Sequence, residues 1–133
     1  MLSELLFLAA WQAAAPCALA QWAMGRGEKP AVLDVAVMEV EERGAGPARL
    51  AWHDPDVEIW VRPLNDGETA LMLANRARRA VSADVIWREL GLGEKRATLR
   101  VFDVLKRRNL GKIQGGFAHR LEAGACSLFR LEP

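Results

Sequence analysis

Asp54 and Asp56, with His53 beside them, form the acidic pair in this sequence that could serve general acid–base chemistry. Pro55 stands between them, and the plainer reading of His53-Asp54-Pro55-Asp56 is a turn whose side chains bond to their own backbone. A second constellation is aromatic. Trp52, Trp60 and Trp87 could make a platform for stacking sugar rings if their indoles share one exposed surface. If buried, the same indoles are packing. His53 and His119 stand at no zinc-ligand spacing from Cys17 or Cys126, and no Cys-x-x-Cys pair exists, so no metal is expected. Ser3, Ser82 and Ser127 lack the Gly-x-Ser-x-Gly setting of a hydrolase nucleophile. The stretch Gly111 to Gly116 lacks both the spacing and the following helix of a phosphate loop. No cofactor is implied. Cys17 and Cys126 permit at most one intramolecular disulfide, and their spacing does not say whether they meet.

The composition bounds what these residues can belong to. A chain of 133 residues, 51% hydrophobic and 26% charged, suits one folded domain with room for little beyond a tail. Lys and Arg number 18 against 17 Asp and Glu, a net charge of +1 that argues against a nucleic-acid partner. Arg76, Arg78 and Arg79 form the one local basic cluster to consider, and they also read as a solvated turn between strands.

Three readings compete for the apolar segment Leu2 to Met24, whose only charge is Glu4. An apolar stretch and the triplet Ala18-Leu19-Ala20 resemble a signal peptide with its cleavage site, though no Lys or Arg precedes them. If residues 1–20 act that way, the protein is secreted or periplasmic. A membrane span is disfavoured because Gln12 and Pro16 interrupt a stretch of barely sufficient length. A helix packed on a protein surface, ended or kinked by Pro16, needs no further assumption. Residues 1–30 are therefore expected as an apolar helical extension or signal-like segment, with Gly25 to Pro30 as linker.

Residues 31–133 are expected to form the main domain. Ala31 to Val40 alternates, with Leu33, Val35 and Val37 on one side, and is predicted as a strand; Glu41 to Pro47 is predicted as a loop. From Val57 onward short alternating runs recur between turn residues, the signature of an all-β sandwich or barrel. Val57, Ile59 and Val61 put one face inward, and Pro63 limits further pairing. Asn65-Asp66-Gly67-Glu68 predicts a tight hairpin into Thr69 to Asn75. Val81, Ala83 and Val85 continue the alternation, and Trp87 to Leu92 predicts one helical turn closed by Gly91. Strands over Ala97 to Leu105, Lys112 to Leu121 and Ala125 to Leu131 follow, with a turn over Lys106 to Gly111.

The order of these blocks resembles the C-terminal domain of glycoside hydrolase family 27, the α-galactosidases and α-N-acetylgalactosaminidases. The resemblance is carried by Val57-Glu58-Ile59-Trp60-Val61-Arg62-Pro63-Leu64 with Asn65-Asp66-Gly67, then Ala70-Leu71-Met72-Leu73-Ala74-Asn75-Arg76, then Trp87-Arg88-Glu89-Leu90-Gly91-Leu92. Val101, Asp103, Leu110-Gly111, Gly116-Phe117 and Gly124 to Leu131 extend it, and it is strongest over residues 57–131. Upstream, Trp11 to Pro16 is faintly similar to a helix late in that family's catalytic barrel, although the family's Asn-Gln-Asp-Pro junction is missing.

The resemblance implies an all-β, antiparallel sandwich of about eight strands, Greek-key in type, with a short N-terminal helical extension. It implies a non-catalytic accessory domain that stabilises or docks a catalytic glycosidase barrel. The family's two catalytic aspartates lie on strands of a barrel of about 250 residues, for which this chain has no room. No Asp here sits in either catalytic context. Two other roles remain open: a carbohydrate-binding module using Trp52, Trp60 and Trp87 on a galactoside, and a protein-interaction sandwich that self-associates through an apolar sheet face.

Overall fold

The computed structural model describes residues 15–31 and 34–133 of the chain. Two helices, α1 (Ala15–Ala23) and α2 (Val35–Glu42), precede eight strands. These are β1 (Arg49–His53), β2 (Val57–Pro63), β3 (Thr69–Asn75), β4 (Val81–Ile86), β5 (Thr98–Asp103), β6 (Arg108–Gln114), β7 (Gly116–Leu121) and β8 (Cys126–Glu132). They form an antiparallel β-sandwich. Six strands in the order β1-β2-β3-β8-β5-β6 face a two-stranded sheet of β4 and β7. The chain changes sheet at β3–β4, β4–β5, β6–β7 and β7–β8, and β8 returns between β3 and β5, the long return of a Greek-key arrangement.

Alternation explains the inner core. Val57, Ile59 and Val61 of β2, Leu71 and Leu73 of β3, and Phe129 and Leu131 of β8 point toward Ala83 and Val85 of β4. The β2–β3 hairpin turns at Asp66 and Gly67, both at positive φ (64° and 74°), which Asp tolerates and Gly adopts without strain. Trp87 begins a single helical turn that closes where Leu92 N–H donates to Trp87 O and Gly91 takes φ 72°.

The opposite face of the large sheet is equally apolar. Ala70, Met72, Ala74, Cys126 and Leu128 are buried against Cys17, Ala20 and Ala23 of α1 and Val37 and Val40 of α2. Strand β3 is thus covered on both sides and reads as a nearly continuous apolar run, Ala70 to Ala74. The triplet Ala18-Leu19-Ala20 lies inside α1, where Ala20 is fully buried and Cys17 is disulfide-bonded to Cys126. From residue 15 onward this segment is a packed helix, and cleavage after Ala20 would remove two thirds of it. Most of the apolar segment, Trp11 included, falls outside the described residues. Among the described residues no helix is long and apolar enough to cross a membrane.

Three expectations are corrected. The stretch predicted as a strand over Ala31 to Val40 is helical from Val35 to Glu42, Val32 and Leu33 lying outside the described residues. Asp34 starts the helix by accepting Ala36 N–H at 2.8 Å, and the buried Val37 and Val40 are spaced for one helical face. The predicted strand Lys112 to Leu121 is two strands in different sheets, broken where Gly115 and Gly116 take φ of 80° and 142°. The turn expected over Lys106 to Gly111 is shorter, because β6 already begins at Arg108. Strand β1 has no counterpart among the predicted elements, since none of its residues is fully buried.

Candidate functional site

The helical layer is fastened to the sheet by specific polar links as well as by apolar packing. Arg62 leaves β2 on the helix side, donating from Nη1 to Ala23 O and from Nε to Gly46 O, both at 2.9 Å. Its guanidinium lies against Gly44, where a Cβ would overlap it. Arg43, the cap after α2, pairs with Glu68 just before β3, and Glu68 also approaches Arg130 Nε at 3.6 Å. The Glu68 carboxylate beside Arg43 pushes the guanidinium pKa further up. At the start of α2, Asp34 accepts from Arg107 of the β5–β6 turn at 2.6 Å, which holds the Asp34 carboxyl below the usual carboxylate range.

The three tryptophans named from the sequence do not share a surface. Trp87 is fully buried between the sheets, its Nε1 donating to Ile113 O at 3.2 Å and its ring edge-on to Phe117. An indole enclosed in that way cannot stack on a sugar. Trp60 points to the opposite side of the large sheet, half-buried under the helical layer. Arg26 covers its ring at 3.7 Å from the centroid, and Nε1 donates to Glu58. Only Trp52 of β1 is exposed, at 36%. The platform is a single residue.

The Asp54–Asp56 pair resolves into turn chemistry. Asp54 Oδ1 accepts from the backbone N–H groups of Asp56 and Val57, each at 2.7 Å, and Asp56 pairs with Arg79. Arg76 pairs with Glu58, so Arg76 and Arg79 are both tied to carboxylates at the start of β2. Among the described residues no three His, Cys, Asp or Glu side chains are grouped to hold a metal.

What the sequence did not reveal is the setting of Trp52. β1 is an edge of the large sheet and β4 belongs to the small one, and a cavity of about 380 Å³ lies between them. Trp52 and Asp54 line one wall, and Ser82, Asp84, Ile86 and Glu89 line the other. A neighbouring cavity of about 430 Å³, lined by Ile86, Arg88, Glu89 and Lys95, shares two of those residues. Asp84 and Ile86 were legible as outward positions of β4, but only the sheet topology brings them opposite Trp52.

Comparison with known proteins extends the fold to a family. The family model described as the alpha galactosidase C-terminal beta sandwich domain matches residues 54–131. An alpha-galactosidase of Cyamopsis tetragonoloba is 26% identical over 78 residues, covering 59% of this chain and 19% of that protein. A GH27 β-L-arabinopyranosidase of Geobacillus stearothermophilus superposes with a TM-score of 0.66 at 22% identity, covering 74% of this chain and 22% of the other. An alpha-galactosidase of Saccharomyces cerevisiae gives a TM-score of 0.69 at 13% identity, over 86% of this chain and 42% of its own. At such identities the superpositions speak for the fold alone, and the chain spans about a fifth of the curated relative it matches. Two sheets with this strand order and a family model spanning more than half the sequence agree: the chain belongs to the family of alpha galactosidase C-terminal beta sandwich domains.

Proposed function

We propose that this chain is a non-catalytic accessory domain of a galactosidase-like glycoside hydrolase, docking and stabilising a catalytic barrel through its helical layer. One observation carries the reading: the outer face of the six-stranded sheet is apolar and buried under α1 and α2. Helix α1 carries no charged residue, and Ala18, Leu19 and Trp22 on it are only partly covered. A helix whose polar side chains reduce to one, Gln21, is normally enclosed on most of its surface. Val35 at the start of α2, 66% exposed, adds to that surface. The superposition on the Saccharomyces cerevisiae enzyme covers more of this chain than the strands from Arg49 onward can supply, so it includes part of the helical segment. The Cys17–Cys126 bond further suits a chain that folds in an oxidising compartment.

The test is a chimera of the Cyamopsis tetragonoloba alpha-galactosidase in which residues 15–133 of this chain, helical layer and β1 included, replace the matched segment. It is compared with the same enzyme truncated before that segment, and with this chain alone. The reading expects α-galactoside hydrolysis and a raised melting temperature in the chimera relative to the truncated enzyme, and no turnover by the isolated chain. A chimera no more stable or active than the truncated enzyme defeats the docking role. Turnover by the isolated chain defeats the non-catalytic one.

A further inference from the structure

The groove between β1 and β4 combines an exposed indole with unpaired carboxylates, and that chemistry selects a ligand. Trp52 offers its ring at one end and Ile86, 39% exposed, continues the apolar floor. They are two of the few large apolar side chains that the described residues leave in solvent. Among the described residues Asp84 and Glu89 form no ion pair, whereas Asp34, Asp56, Glu58 and Glu68 are each paired with an arginine. Asp54 commits one oxygen to its turn and keeps the other.

Among the described residues no Lys or Arg lines the Trp52 cavity itself, so an anionic ligand seated there faces carboxylate walls. A bare cation is not accommodated either, because the acidic groups are not clustered as metal ligands. A neutral sugar satisfies both constraints. Its C–H face covers the indole, and its hydroxyls donate to carboxylates that accept charge-assisted hydrogen bonds. The volume of about 380 Å³ holds one pyranose with its water, and the adjoining cavity beyond Ile86 and Glu89 leaves room for a second ring near Arg88 and Lys95.

The geometry points to a binding site for neutral oligosaccharide in the β1–β4 groove, with one ring stacked on Trp52 and its hydroxyls bonded to Asp84 and Glu89. The site lies on the seam between the sheets, away from the helical layer, and is independent of the docking role.

The test follows backbone and indole NMR shifts of the full chain during titration with galactose, the disaccharide melibiose, and galacturonate as an anionic control. Saturable shifts at Trp52, Asp84 and Glu89 are expected, with melibiose tighter than galactose and galacturonate weaker than both. Trp52→Ala should abolish binding, Trp52→Phe should retain part of it, and Asp84→Asn should weaken it by about tenfold. Unchanged melting temperatures would show that these variants remain folded. No saturable shift by about 50 mM of either neutral sugar overturns the site. Binding that survives Trp52→Ala, or that prefers galacturonate, overturns it equally. Any of these results leaves the docking role untouched, since the enzyme chimera reads that separately.

Discussion

Cys17 on α1 and Cys126 on β8 stand with their α-carbons 4.9 Å apart, and the bond between them closes a loop of 109 residues. That one link makes the first described helix part of the sandwich. A covalent loop of this length reduces the freedom of the unfolded chain by an amount worth about 5 kcal/mol in the chain-entropy treatment. The paired substitution Cys17→Ser and Cys126→Ser should therefore lower the urea midpoint strongly, and dithiothreitol should do the same to the natural protein without affecting the variant. Equal midpoints for the variant and the oxidised protein would show that the bond does not hold the helix.

The tryptophans should separate sharply in stability. Trp87→Ala empties the centre of the core and leaves Ile113 O without its donor, at a cost of about 3–5 kcal/mol. Trp52→Ala, at an exposed edge, should stay within about 0.5 kcal/mol of the parent. Denaturant melts of the two variants check this directly. Similar losses in both would mean that the β1 edge packs as core.

This contrast also marks what was legible in the sequence. Val57, Ile59 and Val61 face a single core, so their alternation announced β2 without ambiguity. β1 announced nothing, because none of Arg49 to His53 is fully buried and a bulge between Leu50 and Trp52 breaks its register. Around Val35 and Val37 a few alternating apolar residues imitated a strand, while the Asp34 cap and the buried Val37–Val40 pair carried the helical signal. The Trp52 groove was half visible: the indole was named, but its partners come from a strand paired in another sheet. The Cys17–Cys126 bond depended on where α1 docks, which spacing alone does not encode.

Gly116 is the residue that lets β6 end in one sheet and β7 begin in the other. Its φ is 142°, and a Cβ there would overlap the backbone carbonyl of Val85 on the paired strand. Gly116→Ala must displace β7 from β4 and is expected to cost more than about 3 kcal/mol. Gly67 shares the positive φ but faces open space, so Gly67→Ala should cost only about 1 kcal/mol of backbone strain. Comparable melting temperatures for the two variants would remove the special role of Gly116.

His119 gives the fold a pH dependence whose direction follows from its surroundings. It lies half-buried on β7 between Phe117 and Phe129, with Nε2 at 3.0 Å from Ser127 Oγ. Burial lowers its pKa from the ordinary 6.5; Lys106 adds to this and Asp103 opposes it. The folded protein therefore takes up this proton less readily than the unfolded chain. The stability that neutral His119 confers is complete above about pH 6.5 and is lost as the pH falls through the lowered folded-state value. Urea midpoints measured from pH 7.5 downward should decline across this window, before most carboxylates protonate. His119→Gln retains a partner for Ser127 but cannot titrate, and should flatten the decline. An equally steep decline in that variant would assign the pH dependence to other groups.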